Sequence, residues 1–159
     1  MIDAYATHRV PAYVSALIAL LLGALPLPHL IALIRPDFLL LVVIWFALMS
    51  PRSTGLLYAF CWGLLLDAFT GVLLGEHALA FVLVAYLVHH FHLRMRMFPL
   101  VHQSLVVLIL LWIYQFLIFW IDGVSGHPAN DWLRLLPGLG GALCWPLVAG
   151  LFGRLIRRH

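Results

Sequence analysis

Residues 99–121 read PLVHQSLVVLILLWIYQFLIFWI, a run of 23 residues without a single Asp, Glu, Lys or Arg. A helix that crosses the hydrocarbon core of a bilayer needs about 20 mostly apolar residues, so this segment is long enough to cross. Pro, Gly and charged residues separate it from five further apolar segments. We therefore predict an all-α integral membrane protein with about six transmembrane helices in one bundle, five being the alternative count. The predicted spans are residues 10–25, 38–49, 54–74, 77–93, 99–121 and 135–151.

The composition of the whole chain agrees with this fold class. Of its 159 residues 65% are hydrophobic and 9% are charged, and the mean hydropathy is +1.08. A soluble domain has roughly 45–50% apolar and about 25% charged residues. The composition therefore excludes a soluble globular protein, a disordered chain and a nucleic-acid-binding protein. Since every loop between the predicted spans is short, residues 1–159 form one polytopic transmembrane domain, and we expect no soluble domain.

The second predicted span is the weakest of the six. Only twelve apolar residues lie between Asp37 and Ser50. Pro36 suits the first turn of a helix, so the helix could begin there. Even so it is short, and it must tilt, thin the bilayer or be shielded by neighbouring helices.

The arginines indicate the orientation. All nine basic side chains are Arg, and with six spans seven of them fall on the side that holds both termini. Only Arg35 and Arg134 fall on the other side. Cytoplasmic loops carry the excess of Lys and Arg, so we expect both termini in the cytoplasm and, because no A-x-A cleavage site follows it, an uncleaved first helix. The seven are Arg9, Arg52, Arg94, Arg96, Arg154, Arg157 and Arg158.

Asp67 is the acidic residue that lies well inside a predicted span. Such a charge costs about 2.5–3.5 kcal/mol on insertion scales and usually faces a bundle interior or a partner. Small residues recur around it every four positions, which predicts a face for close helix packing. Three interpretations stay open: a buried anchor for a helix contact, a wet position near the outer interface, or a proton or ion site. Arg35 could reach inward to pair with Asp67, or extend to the lipid headgroups. The row comprises Gly55, Ala59, Gly63, Asp67, Gly71 and Gly75.

The sequence contains no recognisable catalytic pair, phosphate-binding loop or metal motif. The histidines at 89, 90 and 92 have no acidic neighbour, so with Arg94 and Arg96 they predict a surface for anionic headgroups and not a metal site. We expect no catalytic residue, no cofactor and no metal. In the sixth span Pro146, beside Trp145, should kink the helix, and the small residues at 137–142 offer a second packing face.

Five motifs lie along the chain: RPD at 35–37, SPR at 50–52, LLDAFTG at 65–71, LG at 74–75 and LCWP at 143–146. Together they resemble the MreD family of rod shape-determining proteins, over nearly the whole chain. The resemblance implies a non-enzymatic subunit of the bacterial cell-elongation (rod) complex in the inner membrane. It implies MreC as the direct partner, with RodA, a class B penicillin-binding protein and MreB in the wider complex, which supports peptidoglycan synthesis. It also implies a fold similar to the substrate-binding subunits of energy-coupling-factor transporters.

Two other classes of function remain as alternatives. The runner-up is a small-molecule-binding subunit of a membrane transporter, which would need polar side chains around a cavity. A membrane enzyme acting on lipid is disfavoured because paired catalytic groups are lacking. Besides membrane lipids we expect no further partner class, and no nucleic acid. The candidate residues for helix packing or partner contact are Arg35, Pro36, Gly63, Asp67, Gly71, Trp145 and Pro146.

Overall fold

The computed structural model describes residues 9–25, 28, 35–126 and 135–157. In this part of the chain every regular element is an α-helix, and together with the apolar composition this confirms a helical membrane protein. Arg134 and Arg158, two of the nine arginines used for orientation, lie outside the described residues. The six helices found are α1 Arg9–Ala24, α2 Phe38–Met49, α3 Leu56–Thr70, α4 Glu76–Met97, α5 Leu100–Val124 and α6 Leu136–Arg157.

The helices differ in their capacity to cross a bilayer. By length and composition α4, α5 and α6 are long and apolar enough to span a membrane. The apolar parts of α1, α2 and α3 are shorter than 18 residues. A 12-residue helix such as α2 is about 18 Å long, against about 30 Å for the hydrocarbon core.

Helix α2 lies at the centre of the bundle. All ten residues from Leu39 to Leu48 are buried, and α2 packs against α1, α4 and α6. A helix that is apolar all round is stable only when it is surrounded. Of the three solutions that its short length allowed, the structure therefore shows shielding by neighbouring helices. The helix begins at Phe38 with Asp37 as its N-cap, so Pro36 precedes it and does not occupy its first turn.

Four helix ends differ from the sequence expectation. Helix α5 continues to Val124, where 121 was predicted, and α6 continues to Arg157, where 151 was predicted. The third span was predicted to reach residue 74, but α3 ends at Thr70 because Gly71 adopts φ +69° as its C-cap. The fourth was predicted to end at 93, but α4 continues to Met97, since His, Arg and Met do not break a helix. It stops where Pro99 restricts the residue before it.

The remaining helices surround α2 and α4. Helices α3 and α4 form a closely packed hairpin, α5 packs on α4, and α6 packs on α5 and α2. The Tyr58 hydroxyl of α3 donates a 2.7 Å hydrogen bond to the carbonyl of Ala12 in α1. The ring of Phe152 in α6 lies 5.1 Å from Trp45 and 5.6 Å from Phe46 of α2, between centroids. The bundle therefore has a protein core built on α2 and an outer surface that is largely apolar.

Candidate functional site

The carboxylate of Asp67 caps the N-terminus of a neighbouring helix. Its side chain is fully buried. Its oxygens accept hydrogen bonds from the backbone N–H groups of Gly75 at 2.8 Å, His77 at 3.0 Å and Ala78 at 3.4 Å. The first N–H groups of a helix have no partner within it, and the positive end of its dipole favours an anion. Because Gly75, the N-cap of α4, has no side chain, Asp67 supplies this cap from α3.

The ring of His77 completes the environment of the same carboxylate. Its Nδ1 lies 2.8 Å from Oδ1 of Asp67, so this oxygen receives both the ring and the backbone N–H of His77. Each carboxylate oxygen then has two donors, which uses about four acceptor sites. Asp67 is therefore saturated by protein groups, and the geometry fits the buried anchor among the three interpretations of this residue.

Gly63 allows α3 to approach α4 closely enough for this cap to form. A Cβ atom at Gly63 would lie 2.8 Å from the backbone nitrogen of Ala78 and 2.9 Å from the carbonyl carbon of His77. These atoms belong to the first turn of α4, which cannot move aside without breaking its hydrogen bonds with Asp67. Gly63 lies one turn before Asp67 on the same face of α3, so the close contact and the carboxylate act on the same part of α4.

Gly71 has a different role from the one that its spacing indicated. It lies beyond the last turn of α3, at φ +69°, and nothing lies within 4 Å of a Cβ added there. Its N–H donates to the carbonyl of Asp67 at 2.9 Å. Gly75 is also in the left-handed region, at φ +103°. Gly71 and Gly75 therefore form the turn between α3 and α4, and Gly63 is the glycine of the row that meets α4.

Arg35 caps α1 and does not pair with Asp67. Its guanidinium donates to the carbonyl of Leu25 at 2.8 Å and to that of Leu22. These carbonyls belong to the C-terminal end of α1, where a cation is favourable. The side chain that contacts the carboxylate of Asp67 is that of His77. Arg35 therefore connects the chain that precedes α2 with the end of α1.

Further acidic groups gather around the Asp67–His77 pair. The Tyr114 side chain of α5 lies beside the carboxylate of Asp37, and the Tyr114 ring lies 6.0 Å from the ring of His77, between centroids. The carboxyl groups of Glu76 and Asp122 lie next to each other at this end of the bundle. Four helix ends therefore meet at this end of the bundle: the starts of α2 and α4 and the ends of α3 and α5.

Charged side chains occupy opposite ends of the bundle. The acidic end comprises the four carboxylates that the structure describes. Arg94 comes 18 residues after Glu76 along α4, which places it about 27 Å away. Arg52 follows α2, and Arg154 follows Phe152, which packs near the end of α2. The acidic end is Asp37, Asp67, Glu76 and Asp122, and the arginine end is Arg52, Arg94, Arg96 and Arg154.

Comparisons with known proteins identify the family of this chain. The sequence profile of "MreD: rod shape-determining protein MreD" matches residues 8–155. The chain belongs to the MreD family. The MreD protein of Haemophilus influenzae is 33% identical to it over 142 residues, which is 89% of this chain and 86% of that protein. No solved structure matches the chain. MreD proteins are shape-determining membrane proteins, so this chain has a role in determining rod shape.

Trp145 and Pro146, the candidates from the last MreD-like motif, lie side by side in α6. Trp145 is fully buried, and its Nε1 donates to Oε1 of Gln103 at 3.4 Å. Gln103 in turn donates from Nε2 to the carbonyls of Met95 at 3.0 Å and Phe98 at 3.1 Å. Gln103 therefore joins α4, α5 and α6 near the arginine end. Pro146 lies inside α6 and is exposed.

The small residues at the start of α6 form the second close-packing face of this MreD chain. A Cβ at Gly138 would meet Trp112 and Gln115 of α5, the amide oxygen of Gln115 at 3.0 Å. A Cβ at Gly141 would collide with a methyl group of Leu111. As α6 packs on α5, these glycines set the distance between the two helices.

Sequence reasoning missed the partners of the polar residues that it selected. The sequence places His77 at the start of a span, but no role was predicted for it. The free N–H groups at the start of a helix need an acceptor, and this was a usable signal. No role was predicted for Gln103 either. The last carbonyls of α4, which ends before Pro99, have no partner within the helix and need a nearby donor such as Gln103. Among the described residues no group of three or more His, Cys, Asp or Glu side chains is placed to hold a metal ion.

Proposed function

We propose that this MreD protein is a non-enzymatic scaffold of the rod complex in the bacterial inner membrane, where it binds MreC directly. RodA, a class B penicillin-binding protein and MreB belong to the wider complex, and the scaffold supports peptidoglycan synthesis by holding its members together. Membership in the MreD family supports the part in cell shape. The saturated Asp67 carboxylate supports a scaffold in particular.

The state of Asp67 favours a scaffold over a transporter subunit or a proton relay. A carboxylate that binds a substrate or passes a proton needs a free acceptor site, and each oxygen of Asp67 already has two donors from α4. Buried and fully bonded polar groups give a bundle one defined arrangement. A defined surface is what a partner subunit requires.

We also propose that the chain crosses the membrane six times, with both termini in the cytoplasm. The arginine end and the acidic end support it, because an excess of Arg marks the cytoplasmic side. Helices α1, α2 and α3 then cross as members of a protein bundle, in which α2 has no contact with lipid. For the six helices we propose a fold similar to that of the substrate-binding subunits of energy-coupling-factor transporters.

Purification from the native membrane tests the function. An affinity-tagged chain is extracted in mild detergent, and the proteins and small molecules that accompany it are identified by mass spectrometry. We expect MreC with the unaltered chain and with Gly150→Leu, because nothing lies within 4 Å of a Cβ at Gly150. We expect its loss with Gly63→Leu, which forces α3 away from α4. A bound small molecule in place of MreC would support the transporter subunit instead.

A further inference from the structure

The outward face of α4 carries a stripe that changes from apolar to cationic along the helix. Its residues follow one another at intervals of three and four, and therefore share one face. The apolar members are exposed by 59% for Leu79, 38% for Leu83 and 54% for Tyr86. His90 and Arg94 continue the stripe and are exposed. The opposite face of α4 packs against the bundle, so no described helix covers the stripe.

The cationic part of the stripe has no acidic partner in the described residues. The four described carboxylates form the acidic end, and Glu76 lies about 21 Å along the helix from His90. His90 is held by a stacked contact with Tyr86, at 6.2 Å between ring centroids and 23° between ring planes. Arg94 lies one turn beyond His90 and presents five N–H donors, in a planar fork that matches phosphate.

The length of α4 places these groups at the membrane surface. The 22 residues from Glu76 to Met97 extend about 33 Å, close to the thickness of the hydrocarbon core. With Glu76 at one interface, Arg94, about 27 Å along the helix, lies just below the headgroups of the opposite leaflet and its long side chain can reach them. His90 lies one turn deeper. Tyr86 and Leu83, about 15 Å and 10 Å from Glu76 along the helix, lie at the depth of the acyl chains of that leaflet.

We propose that this face of α4 binds one anionic phospholipid, with the headgroup phosphate against Arg94 and His90 and an acyl chain along Tyr86 and Leu83. The charge decides the ligand, because two cationic or donor groups without a carboxylate favour an anionic headgroup over a zwitterionic one. Arg96 adds positive charge nearby, on another side of the helix. The site is independent of the MreC contact that we propose as the function.

Native mass spectrometry of the full-length chain tests the site. The purified protein is titrated with dioleoyl phosphatidylglycerol or with dioleoyl phosphatidylcholine, and retained lipids are counted. We expect the unaltered chain to retain phosphatidylglycerol upon dilution, and to retain about fivefold less phosphatidylcholine. Arg94→Gln should remove most of this preference, and Arg94→Lys should keep part of it by retaining the charge. Equal retention of the two lipids by the unaltered chain would overturn the proposal.

Arg154→Gln is the matched control, since it removes the same charge from an exposed position at the same end of the bundle but on α6. It should keep the preference of the unaltered chain. An equal loss in Arg94→Gln and Arg154→Gln would mean that only the overall charge attracts the lipid, and this would also overturn the site. Elution as one sharp peak in size-exclusion chromatography checks that each variant is folded.

Discussion

Two nitrogens of His77 converge on one oxygen of Asp67, the backbone N–H at 3.0 Å and the ring Nδ1 at 2.8 Å. The two residues belong to different helices and lie ten positions apart. The contact fixes the start of α4 against the end of α3, at the point where the chain reverses through Gly71 and Gly75. This hairpin packs against the central helices through α4, so its geometry bears on the whole bundle.

Replacement of Asp67 should separate an anchor from a proton relay. Asp67→Leu leaves the N–H groups of Gly75, His77 and Ala78 without an acceptor, at a cost of about 1–3 kcal/mol for each buried group. Asp67→Asn keeps one oxygen acceptor, so the protein should lose less stability than with Asp67→Leu. The measurements are the thermal unfolding midpoint in detergent, copurification of MreC and the shape of cells that carry each variant.

An anchor and a relay differ in the order of these two variants. For an anchor, Asn is tolerated better than Leu, and the loss is one of assembly. A relay predicts equal damage by Asn and Leu in a complex that still assembles. Assembly and rod growth of Asp67→Leu at the level of the unaltered chain would contradict both roles.

Gly63→Ala should destabilise the protein because its Cβ would meet the backbone of Ala78. Overpacking against groups that cannot move typically costs about 1–3 kcal/mol. Gly150→Ala is the control, since it also lies within a helix but has nothing within 4 Å of a Cβ, and it should be neutral or slightly stabilising. Equal unfolding temperatures for the two variants would show that α3 and α4 do not approach as closely as described.

Gly71 should respond to conformation and not to size. At φ +69°, a side chain that disfavours the left-handed region costs about 1–2 kcal/mol, whereas Asn adopts it readily. We therefore expect Gly71→Leu to lower the unfolding temperature and disturb rod shape, and Gly71→Asn to preserve both. Similar damage by Leu and Asn would point to a steric contact at Gly71.

The two glutamines of α5 should differ in their contribution to stability. Gln103→Leu removes the donor to the carbonyls of Met95 and Phe98 and the acceptor for Trp145, and we expect it to destabilise the protein by about 1 kcal/mol. Gln115→Leu is the matched control, because the side-chain oxygen of Gln115 has no hydrogen-bond partner. Thermal unfolding in detergent distinguishes them, and an equal effect would show that the bonds of Gln103 contribute nothing measurable.

The proposed topology makes a prediction about compartments. A reporter fused after residue 159 should be active in the cytoplasm, and one inserted in residues 123–130 should be active on the opposite side of the membrane. Paired phosphatase and fluorescent-protein fusions measure both positions. Activity of both fusions in the same compartment would exclude the six-span arrangement.

The sequence by itself determined the class of fold, most helix boundaries and the family. Apolar runs of sufficient length leave a membrane chain little alternative to helices, because the backbone must satisfy its own hydrogen bonds. It also singled out Asp67 and Gly63, since a carboxylate and a glycine within an apolar helix require a reason.

Only the tertiary structure decided what those residues contact. Lipid and the protein interior are equally apolar, so hydropathy could not show that α2 is enclosed by α1, α4 and α6. The regular spacing could not show that Gly71 forms a turn while Gly63 meets α4. Charge alone suggested Arg35 as the partner of Asp67. The groups that contact the carboxylate are instead the free N–H groups at the start of α4, because the packing brings this helix end against α3.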